Sequence, residues 1–436
     1  MDVLRDDLAA LSPSLRVREG GPGDAVDGVV PRLVVSPAST GQVAAVVARA
    51  AAHGASLVAR GAGTKLDWGR PPEGVEILVE LSAMDRVLEH AVGDFVARVE
   101  AGTTLDRLGA LLAAAGQRLP VEQVVPGSTV GGVIATGLSG PSRHLDGAVR
   151  DVLIGLTVVR ADGVVARSGS KVVKNVAGYD LAKLFTGSFG TLGIVTEATF
   201  RLRPLPRARQ VVTCELPDED DLAAALTALR AAEIAASAIE VDRCVDPGRP
   251  GEVGPPGTDG AIRLAVLLEG DERSLTARVA ATVAALGHAI GAAGTTAPAP
   301  VRTAPGVPSW WAEVPGPVTT KLSCAPGDVP GLLRDLAAWS ARHARPLAVR
   351  GAAADGVLWA GCPAATEPAA VGALLEVARA RCERTGGGAV LLRAPAETKA
   401  ALDSWGPVRG LDLMRRVKMS FDPGRLLAPG RFVGGI

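Results

Sequence analysis

The sequence predicts an α+β protein of two domains, each built from its own strands and helices. Three observations predict this fold class. The chain has 436 residues, enough for two to three domains at ~100–200 residues each. Strand and helix patterns alternate from residue 33 onward, and the pattern changes character near residue 207, just after Pro204 and Pro206. We therefore expect a first domain over 1–206 and a second that begins at 207.

Composition and charge argue against several classes of partner. Lys and Arg together number 46, as do Asp and Glu, so the chain has no net charge to attract nucleic acid or an anionic membrane. No window of about 18 uncharged apolar residues occurs, so no membrane span is expected. The N-terminus is acidic where a signal peptide is basic, which favours a cytoplasmic protein.

The five cysteines are far apart, and no C-x-x-C motif occurs. An iron–sulfur cluster or a zinc ribbon needs closely spaced thiolates, so neither is expected in this chain. The five histidines are also isolated from one another, and no metal site is predicted.

The first domain begins with a β-α-β pattern. Residues 33–36 are apolar and predict a strand. A helix follows, with Ser39 or Thr40 as its N-cap and Gly54 just past its end. A second strand then begins at Leu57 and leads into a glycine-rich loop.

The rest of the first domain is also predicted from apolar patterns and turn residues. Residues 105–116 form an apolar-faced helix that ends at a glycine, and 151–169 form a β-hairpin whose turn is Ala-Asp-Gly. The remaining predicted elements are two strands joined by a turn, 77–81 and 95–102, and a final strand from 194.

The sequence of the second domain predicts strands that alternate with helices. Its loops are expected at 246–260 and 291–308, where Gly and Pro are concentrated. The predicted elements are strands at 211–216, 238–242 and 262–270 and helices at 219–232 and 273–289, followed by two more passages of strand plus helix.

Three glycine-rich segments in the first domain are the candidate binding loops. Residues 60–64 place backbone N–H groups beside one cation, which suits a phosphate group. Residues 126–132 precede a helix predicted to start near Thr129, whose N–H groups would point at an anion. Residues 187–193 are apolar as well as glycine-rich, which suits backbone laid against a flat ring. Each segment by itself is also compatible with an ordinary turn.

Two common nucleotide-binding motifs are missing. No G-x-G-x-x-G lies between a strand and a helix, and no Walker A lysine–hydroxyl pair occurs. These absences count against NAD and ATP as ligands.

Taken together, the loops resemble the FAD-binding proteins of the vanillyl-alcohol oxidase type, also called the PCMH-type FAD fold. Within that group the chain most resembles the FAD-binding subunits of bacterial glycolate oxidases. The resemblance is carried by RGAGTKLDWG (60–69), by residues 126–155, by residues 171–202 and by FDPGRLLAPGRF (421–432).

The resemblance implies a PCMH-type FAD-binding domain of two α/β lobes, followed by a C-terminal α/β sandwich domain over 207–415. Residues 416–436 would return to the FAD domain. The implied FAD-binding residues are Arg60, Gly61, Ala62, Gly63, Thr64, Pro126, Gly127, Ser128, Thr129, Gly131, Gly132, Gly137, Ser139, Gly140, Arg143, Gly190, Thr191, Gly193, Ile194 and Val195.

The resemblance also bears on how the flavin is held. Some members of this fold attach FAD through a His in the first loop, where this chain has Gly63-Thr64-Lys65, so non-covalent FAD is expected. Phe189 stands where catalytic relatives tend to carry an acidic residue, and no His cluster follows in the C-terminal half. No catalytic base is therefore assigned.

A few polar residues near the expected flavin site keep two interpretations. His144 either touches flavin or substrate or faces solvent from a loop, and Tyr179 either relays a proton or packs as a ring. Five cations either bind substrate or pair with acids on the surface: Arg143, Arg150, Lys171, Lys174 and Arg431.

Three functions remain open at this stage. The first is an FAD-binding subunit of a glycolate-oxidase-like complex, acting on a small 2-hydroxy acid beside a catalytic flavoprotein subunit and an iron–sulfur subunit. Such a complex would allow a peripheral membrane location. The second is a self-sufficient FAD-dependent 2-hydroxy-acid dehydrogenase, with residues 319–323 and 348–356 lining its pocket. The third is a flavin-stabilised scaffold without activity.

Overall fold

The computed structural model describes residues 3–170, 180–245, 259–292 and 300–436. The chain divides into two compact units, and the first contains both ends of the chain. The first unit comprises Met1–Gly140, Gly147–Leu205 and Pro407–Ile436, and the second comprises Pro141–Asp146 and Pro206–Gly406.

The first unit contains three sheets within the described residues. A four-stranded sheet has the order β1-β2-β4-β3, a five-stranded sheet has the order β5-β6-β10-β8-β9, and β7 pairs with β11. The strands are β1 Arg16–Glu19, β2 Leu33–Ser36, β3 Leu57–Arg60, β4 Ile77–Glu80, β5 Val87–Ala91, β6 Val96–Glu100, β7 Gln117–Arg118, β8 Leu153–Val159, β9 Val165–Gly169, β10 Ile194–Arg201 and β11 Arg203–Pro204. The helices are α1 Val3–Ala9, α2 Thr40–Ala52, α3 Leu105–Ala114, α4 Val130–Thr136, α6 Val149–Val152, α7 Leu181–Phe185 and α13 Leu411–Phe421.

The predicted β-α-β unit is confirmed as β2, α2 and β3. Ser39 caps α2, because its side chain accepts a hydrogen bond from the Gln42 backbone N–H at 3.2 Å. The helix buries an apolar stripe, and Gly54 adopts φ +63° directly after it. β2 and β3 each pair in parallel with β4, which lies between them.

The expected turn between strands 77–81 and 95–102 is wrong. The structure inserts β5 between them and places β4 and β6 in different sheets. β4 is buried between β2 and β3, whereas β6 pairs with β5 and β10. The local sequence pattern could not show which strands β4 and β6 pair with, because both strands are short and apolar.

The second unit is built on an eight-stranded antiparallel sheet with the order β15-β12-β14-β13-β17-β18-β16-β19. Its strands are β12 Ala208–Leu216, β13 Ala238–Val245, β14 Asp259–Gly270, β15 Arg302–Ala304, β16 Val318–Ser323, β17 Leu347–Ala352, β18 Val357–Cys362 and β19 Gly388–Arg393. Its helices are α5 Arg143–Asp146, α8 Glu219–Ala231, α9 Glu272–Ala292, α10 Val329–His343, α11 Pro368–Cys382 and α12 Ala396–Ala401.

One face of this sheet packs against helices to form the main core. Alternate strand residues such as Val212, Leu264 and Leu358 point into this core, where they meet Leu222 of α8 and Leu332 of α10. The opposite face carries a smaller cluster around Trp310 and several charged side chains.

Two predicted loops of this unit need correction. The expected loop 291–308 contains strand β15, which pairs with β12 at the sheet edge. Of the other expected loop, residues 246–258 lie outside the described residues, and Asp259 already belongs to β14. The segment expected to return to the first domain began at 416; in the structure the segment that joins the first unit begins at Pro407.

Among the residues that the structure describes, none of the helices is long and apolar enough to cross a bilayer.

Candidate functional site

A pocket in the first unit brings the three glycine-rich loops together. It has about 760 Å³ of empty space, counting the part open to solvent. The C-terminal segment contributes Arg431 to its wall. The lining residues are Ala59, Arg60, Gly61, Ala62, Gly63, Thr64, Lys65, Leu66, Leu81, Ala101, Thr129, Gly131, Gly132, Ala135, Thr136, Phe189, Gly190, Val195 and Arg431.

The first loop enters the pocket from the end of β3. A Cβ on Gly61 would lie 2.1 Å from Oγ1 of Thr129, so only glycine lets the first and second loops pack this closely. Gly63 adopts φ +78°, which turns the chain back past the pocket.

The cation of this loop has a structural role that the sequence did not show. The Arg60 guanidinium lies 3.0 Å from a carboxylate oxygen of Asp24 and 2.6 Å from one of Glu80. Hydrogen bonds from Arg18, the Gly21 N–H and Arg60 hold the pKa of Asp24 well below its usual range. Arg60, the cation expected beside a phosphate, lines the pocket, and two acids already neutralise its charge.

The second loop forms the predicted helix start. Thr129 is the N-cap of α4, and its Oγ1 accepts the Gly132 N–H at 3.3 Å. The Gly131 N–H donates to the Ala101 carbonyl at 2.8 Å. Both amides are therefore engaged within the protein, and the expected direct donation to an anion is corrected. The two glycines instead allow close approach, since a Cβ on Gly131 would lie 2.9 Å from the Ala101 Cβ.

The third loop closes the pocket with backbone and an aromatic ring. Gly190 adopts φ +76° and Phe189 φ +56°, an uncommon conformation for a bulky residue. Phe189 donates its N–H to the Ala135 carbonyl at 2.8 Å, and its ring stacks on Phe432 with centroids 5.6 Å apart. This arrangement presents an apolar wall, as the sequence suggested.

Nine other predicted residues of the first unit do not line the pocket. Ser128 is fully buried, Gly137 ends α4 at φ +60° against Gly187, and a Cβ on Gly140 would lie 2.7 Å from Glu122. These residues support the loops by packing outside the pocket lining. The nine residues are Pro126, Gly127, Ser128, Gly137, Ser139, Gly140, Thr191, Gly193 and Ile194.

Arg143, also predicted as a flavin contact, clusters with the second unit. Arg150 is exposed and lies 3.9 Å from Asp151. Lys171, Lys174 and Tyr179 lie outside the described residues.

Two buried cations line the pocket, and one of them was missed. Lys65 is 8% exposed, and its Nζ donates to Oγ of Ser128 at 2.7 Å. Sequence reasoning used this position only to note a missing His. A lysine next to a glycine turn was the available signal.

Arg431 was one of five flanking candidates and is more buried than the other two that the structure describes, Arg143 and Arg150. Its Nη2 donates to the carbonyls of Leu66 and Trp68, both at 2.7 Å. Burial lowers its pKa to about 10. Its Nε has no hydrogen-bond partner within the described structure.

A buried ion pair ties the C-terminal segment to the third loop. Nζ of Lys418 lies 2.6 Å from Asp422 and donates to the Thr191 carbonyl at 2.8 Å. Asp422 also accepts the backbone N–H groups of Leu426 and Leu427. Burial lowers the pKa of Lys418. The pair therefore fixes the turn that leads to Arg431.

The pocket fits a cofactor that combines an anionic group with a flat ring. Its cations, Lys65 and Arg431, suit a pyrophosphate, and the buried Nε of Arg431 is a donor without a hydrogen-bond partner in the described structure. Ala135, Phe189 and Val195 supply apolar surface on another side. The glycines leave room for the backbone to approach such a ligand closely.

The described lining of the pocket has no carboxylate, imidazole, thiol or phenol group, since it contains no His, Asp, Glu, Cys or Tyr. The described part of the chain also shows no group of three His, Cys, Asp or Glu side chains arranged to hold a metal ion.

Comparisons with known proteins agree with this pocket. Two family profiles match: an FAD binding domain over residues 31–169 and the C-terminal domain of FAD linked oxidases over residues 205–432. The chain is 34% identical over 212 residues to glycolate oxidase subunit GlcD of Bacillus subtilis, a match that covers 48% of this chain and 45% of that protein. It is 38% identical over 154 residues to glycolate oxidase subunit GlcE of Escherichia coli, which covers 35% and 43% respectively.

The matched region thus spans less than half the length of these curated relatives. A D-lactate dehydrogenase of Archaeoglobus fulgidus is 34% identical over 189 residues, covering 43% of this chain and 42% of that protein. Among solved structures, p-cresol methylhydroxylase with substrate bound aligns with a TM-score of 0.73 and 17% identity, over 99% of this chain and 96% of that chain. At this identity the likeness shows the fold alone, and that fold is the predicted PCMH type.

The profile of the FAD linked oxidases covers more than half of the chain, and the profile of the FAD binding domain includes the first two loops of the pocket. The chain therefore belongs to the FAD-linked oxidases, and its cofactor is FAD.

Proposed function

We propose that this protein is an FAD-dependent oxidoreductase that serves as the FAD-binding subunit of a complex oxidising a small 2-hydroxy acid such as glycolate. The observation that carries the proposal is the glycine-lined pocket with two buried cations and, among its described lining residues, no carboxylate, imidazole, thiol or phenol. Two relatives are named as glycolate oxidase subunits, which supports a complex.

The residues of the pocket would hold FAD as follows. Lys65 and Arg431 would bind the pyrophosphate, and the loop glycines would let the backbone approach it. Ala135, Phe189 and Val195 would cover part of the ring system. When bound, the flavin supplies a two-electron acceptor.

Oxidation of a 2-hydroxy acid also requires a base for the hydroxyl proton and a cation for the carboxylate. Because the described pocket lining contains no carboxylate, imidazole, thiol or phenol, this group would come from elsewhere: from a catalytic flavoprotein subunit in the complex, or from residues of this chain beyond the described lining. An iron–sulfur subunit would then carry the electrons onward.

One observation favours a base supplied by this chain itself, and therefore a self-sufficient dehydrogenase. Lys321 lies in the segment 319–323, and its pKa is lowered to about 8, chiefly by burial and further by Arg143. An amine in this range exchanges its proton near neutral pH, as a general base must.

The two candidates differ in anaerobic flavin reduction. The purified FAD-loaded chain is mixed with glycolate or D-lactate, and the visible flavin absorbance is followed, alone and after co-purification with its companion subunits. Bleaching only in the complex supports the subunit role, and bleaching of the isolated chain supports the self-sufficient enzyme. No bleaching by any 2-hydroxy acid in either preparation overturns both.

A further inference from the structure

Helices α10 and α11 of the second unit lie antiparallel and leave an open groove between them. Nε1 of Trp339, near the end of α10, donates to the carbonyl of Ala370 at the start of α11 at 3.1 Å. Nε of Arg381, near the end of α11, donates to Asp335 in the first half of α10 at 2.8 Å. The groove beside these contacts has about 890 Å³ of empty space, counting the part open to solvent.

The floor of the groove is formed by short side chains. Ala338 of α10 and Ala373 and Ala380 of α11 end at Cβ, and Val377 lies between the two alanines of α11. Ala373, Val377 and Ala380 are spaced four and three residues apart, so they follow one line along the helix. A third helix laid along this line could therefore approach closely, with its ridge of side chains in the groove.

The groove differs in character from a pocket for a small molecule. Such a pocket encloses its ligand and holds it by a few converging polar groups. Here Ala338 and Ala380 of the lining are exposed, and the buried indole N–H of Trp339 already donates to the protein itself. An open groove with an apolar floor is typical of a surface that binds a helix.

Two exposed arginines mark the two ends of the groove. Arg342 lies at the end of α10, and Arg384 lies just after α11, at the opposite end. Neither side chain has an ion pair or a hydrogen bond within the part of the chain that the structure describes. Arg381 differs, because Asp335 at 2.8 Å and Asp328 at 3.9 Å balance its charge. Two positive charges are therefore left for a ligand of the groove.

One acid lies between these two cations. Glu376, near the middle of α11, is exposed and has no ion pair among the described residues. The unpaired charges along the groove therefore run positive, negative, positive. Arg342 lies beside the start of α11, so a helical rise of ~1.5 Å per residue separates it from Arg384 by about 20 Å.

This charge order and the shape of the groove argue against a second copy of the chain as the occupant. A copy would present the same groove, and two facing grooves supply no ridge to fill the space between them. A two-fold contact centred on the groove would also place cation against cation at both ends and Glu376 against Glu376. A helix with an acidic residue toward each end would instead meet both Arg342 and Arg384.

We propose that the groove between α10 and α11 binds an amphipathic helix of a companion subunit, with acidic residues about 20 Å apart on the face that meets the groove. The apolar side chains of that helix would cover Ala338, Val377 and their neighbours and supply most of the affinity. The charges at the two ends would set its position and its rate of association. The assignment of this helix to a companion subunit rests on the proposed function above.

Binding of the purified companion subunits to the FAD-loaded chain is measured by biolayer interferometry. Ala338→Trp places a large ring on the floor of the groove and should weaken binding about 100-fold or more. Arg342→Glu combined with Arg384→Glu reverses the charge at both ends and should weaken binding about tenfold or more, chiefly through slower association. Raising the salt concentration from about 0.05 to about 0.5 M should slow association of the wild type but not of this double variant.

The matched controls are Ala277→Trp and Arg273→Glu, which make the same kinds of change at exposed positions of α9. Both should bind the companion subunits as the wild type does. Ala338, Arg342 and Arg384 are exposed as well, so all variants should keep the FAD content and melting temperature of the wild type.

The outcomes separate failure of the groove from failure of the proposed function. If folded Ala338→Trp and the double arginine variant bind the companion subunits as the wild type does, the groove is wrong and the subunit role stands. If the wild type binds no companion subunit, the subunit role is wrong, and the proposed occupant with it. If light scattering shows a wild-type dimer that Ala338→Trp separates, the occupant is a second copy and the proposal is overturned.

Discussion

At the scale of single residues, the pocket is lined by two kinds of residue: glycines that let the loops pack closely, and cations that we propose bind the pyrophosphate of FAD. Gly61 and Gly131 lie against Thr129 and Ala101 so closely that any side chain would displace a loop. Gly132 differs, because its Cβ would have Oγ1 of Thr129 at 3.2 Å and Nζ of Lys65 at 3.8 Å as its nearest neighbours. A side chain there would disturb the ligand more than the fold.

We therefore expect Gly132→Val to purify largely without FAD. The valine would crowd Lys65 and hold the pyrophosphate away from it. Loss of one hydrogen bond between charged groups costs ~1.5–3 kcal/mol, so the dissociation constant for FAD should rise about 10- to 100-fold. Fluorescence titration of the apoprotein with FAD measures this change.

The matched control is Gly109→Val, since Gly109 lies on an exposed part of α3 with open space at its Cβ. It should bind FAD as the wild type does. Wild-type FAD affinity in Gly132→Val would show that the second loop does not contact the cofactor.

At the scale of elements, the C-terminal segment completes the first unit. Residues on either side of Leu427 bond to the start of β3: the Leu57 N–H donates to the Leu426 carbonyl and the Ala428 N–H to the Leu57 carbonyl, both at 2.7 Å. The buried pair of Lys418 and Asp422 holds this segment to the third loop. The pocket thus depends on residues more than 200 positions apart in the chain.

Asp422→Ala should destabilise the protein by ~3–5 kcal/mol, because it leaves the Lys418 ammonium buried without its counter-ion. The turn to Arg431 would loosen, so FAD affinity should also fall. Chemical denaturation followed by circular dichroism measures the first effect, and FAD titration measures the second.

Asp412→Ala is the control on the same helix. Asp412 is 95% exposed and forms an i,i+3 ion pair with Arg415, so its loss should change the free energy of unfolding by less than ~0.5 kcal/mol. Equal effects of the two substitutions would contradict a structural role for the buried pair.

At the scale of the whole molecule, two units with separate cores share one chain. The first contains the candidate FAD pocket and both ends of the chain, and the second contains the eight-stranded sheet and its helices. Five free cysteines are spread over the second unit, and burial raises the pKa of Cys214 to about 12 and also that of Cys362. These two thiols are therefore protonated at neutral pH, as expected of packed side chains.

We expect the flavin to leave the whole protein on denaturation. Gly63-Thr64-Lys65 is the stretch where some members of the fold have the attaching His, and the described pocket lining contains no His, Cys or Tyr. Acid precipitation should give a colourless pellet and a yellow supernatant. Added FAD should stabilise the refolded apoprotein by about 2.7 kcal/mol at a concentration 100 times its dissociation constant. A yellow pellet would show a covalent bond.

The sequence by itself determined the local elements and the type of cofactor. A cap of α2 at Ser39 or Thr40, the α2 stripe, the Ala-Asp-Gly hairpin and a helix start near Thr129 were all predicted, because each depends on neighbours within a few residues. The resemblance of the glycine-rich loops to those of the PCMH-type FAD fold implied FAD, because the order of the loops can be read from the chain alone.

Only the tertiary structure decided which groups meet. It placed β4 and β6 in different sheets, used Arg60 to neutralise Asp24 and Glu80, and brought Arg431 to the pocket instead. Charge pairing and strand pairing join residues that are distant in sequence, and many cations compete for each acid. The choice among them depends on burial, which exists only once the chain has folded.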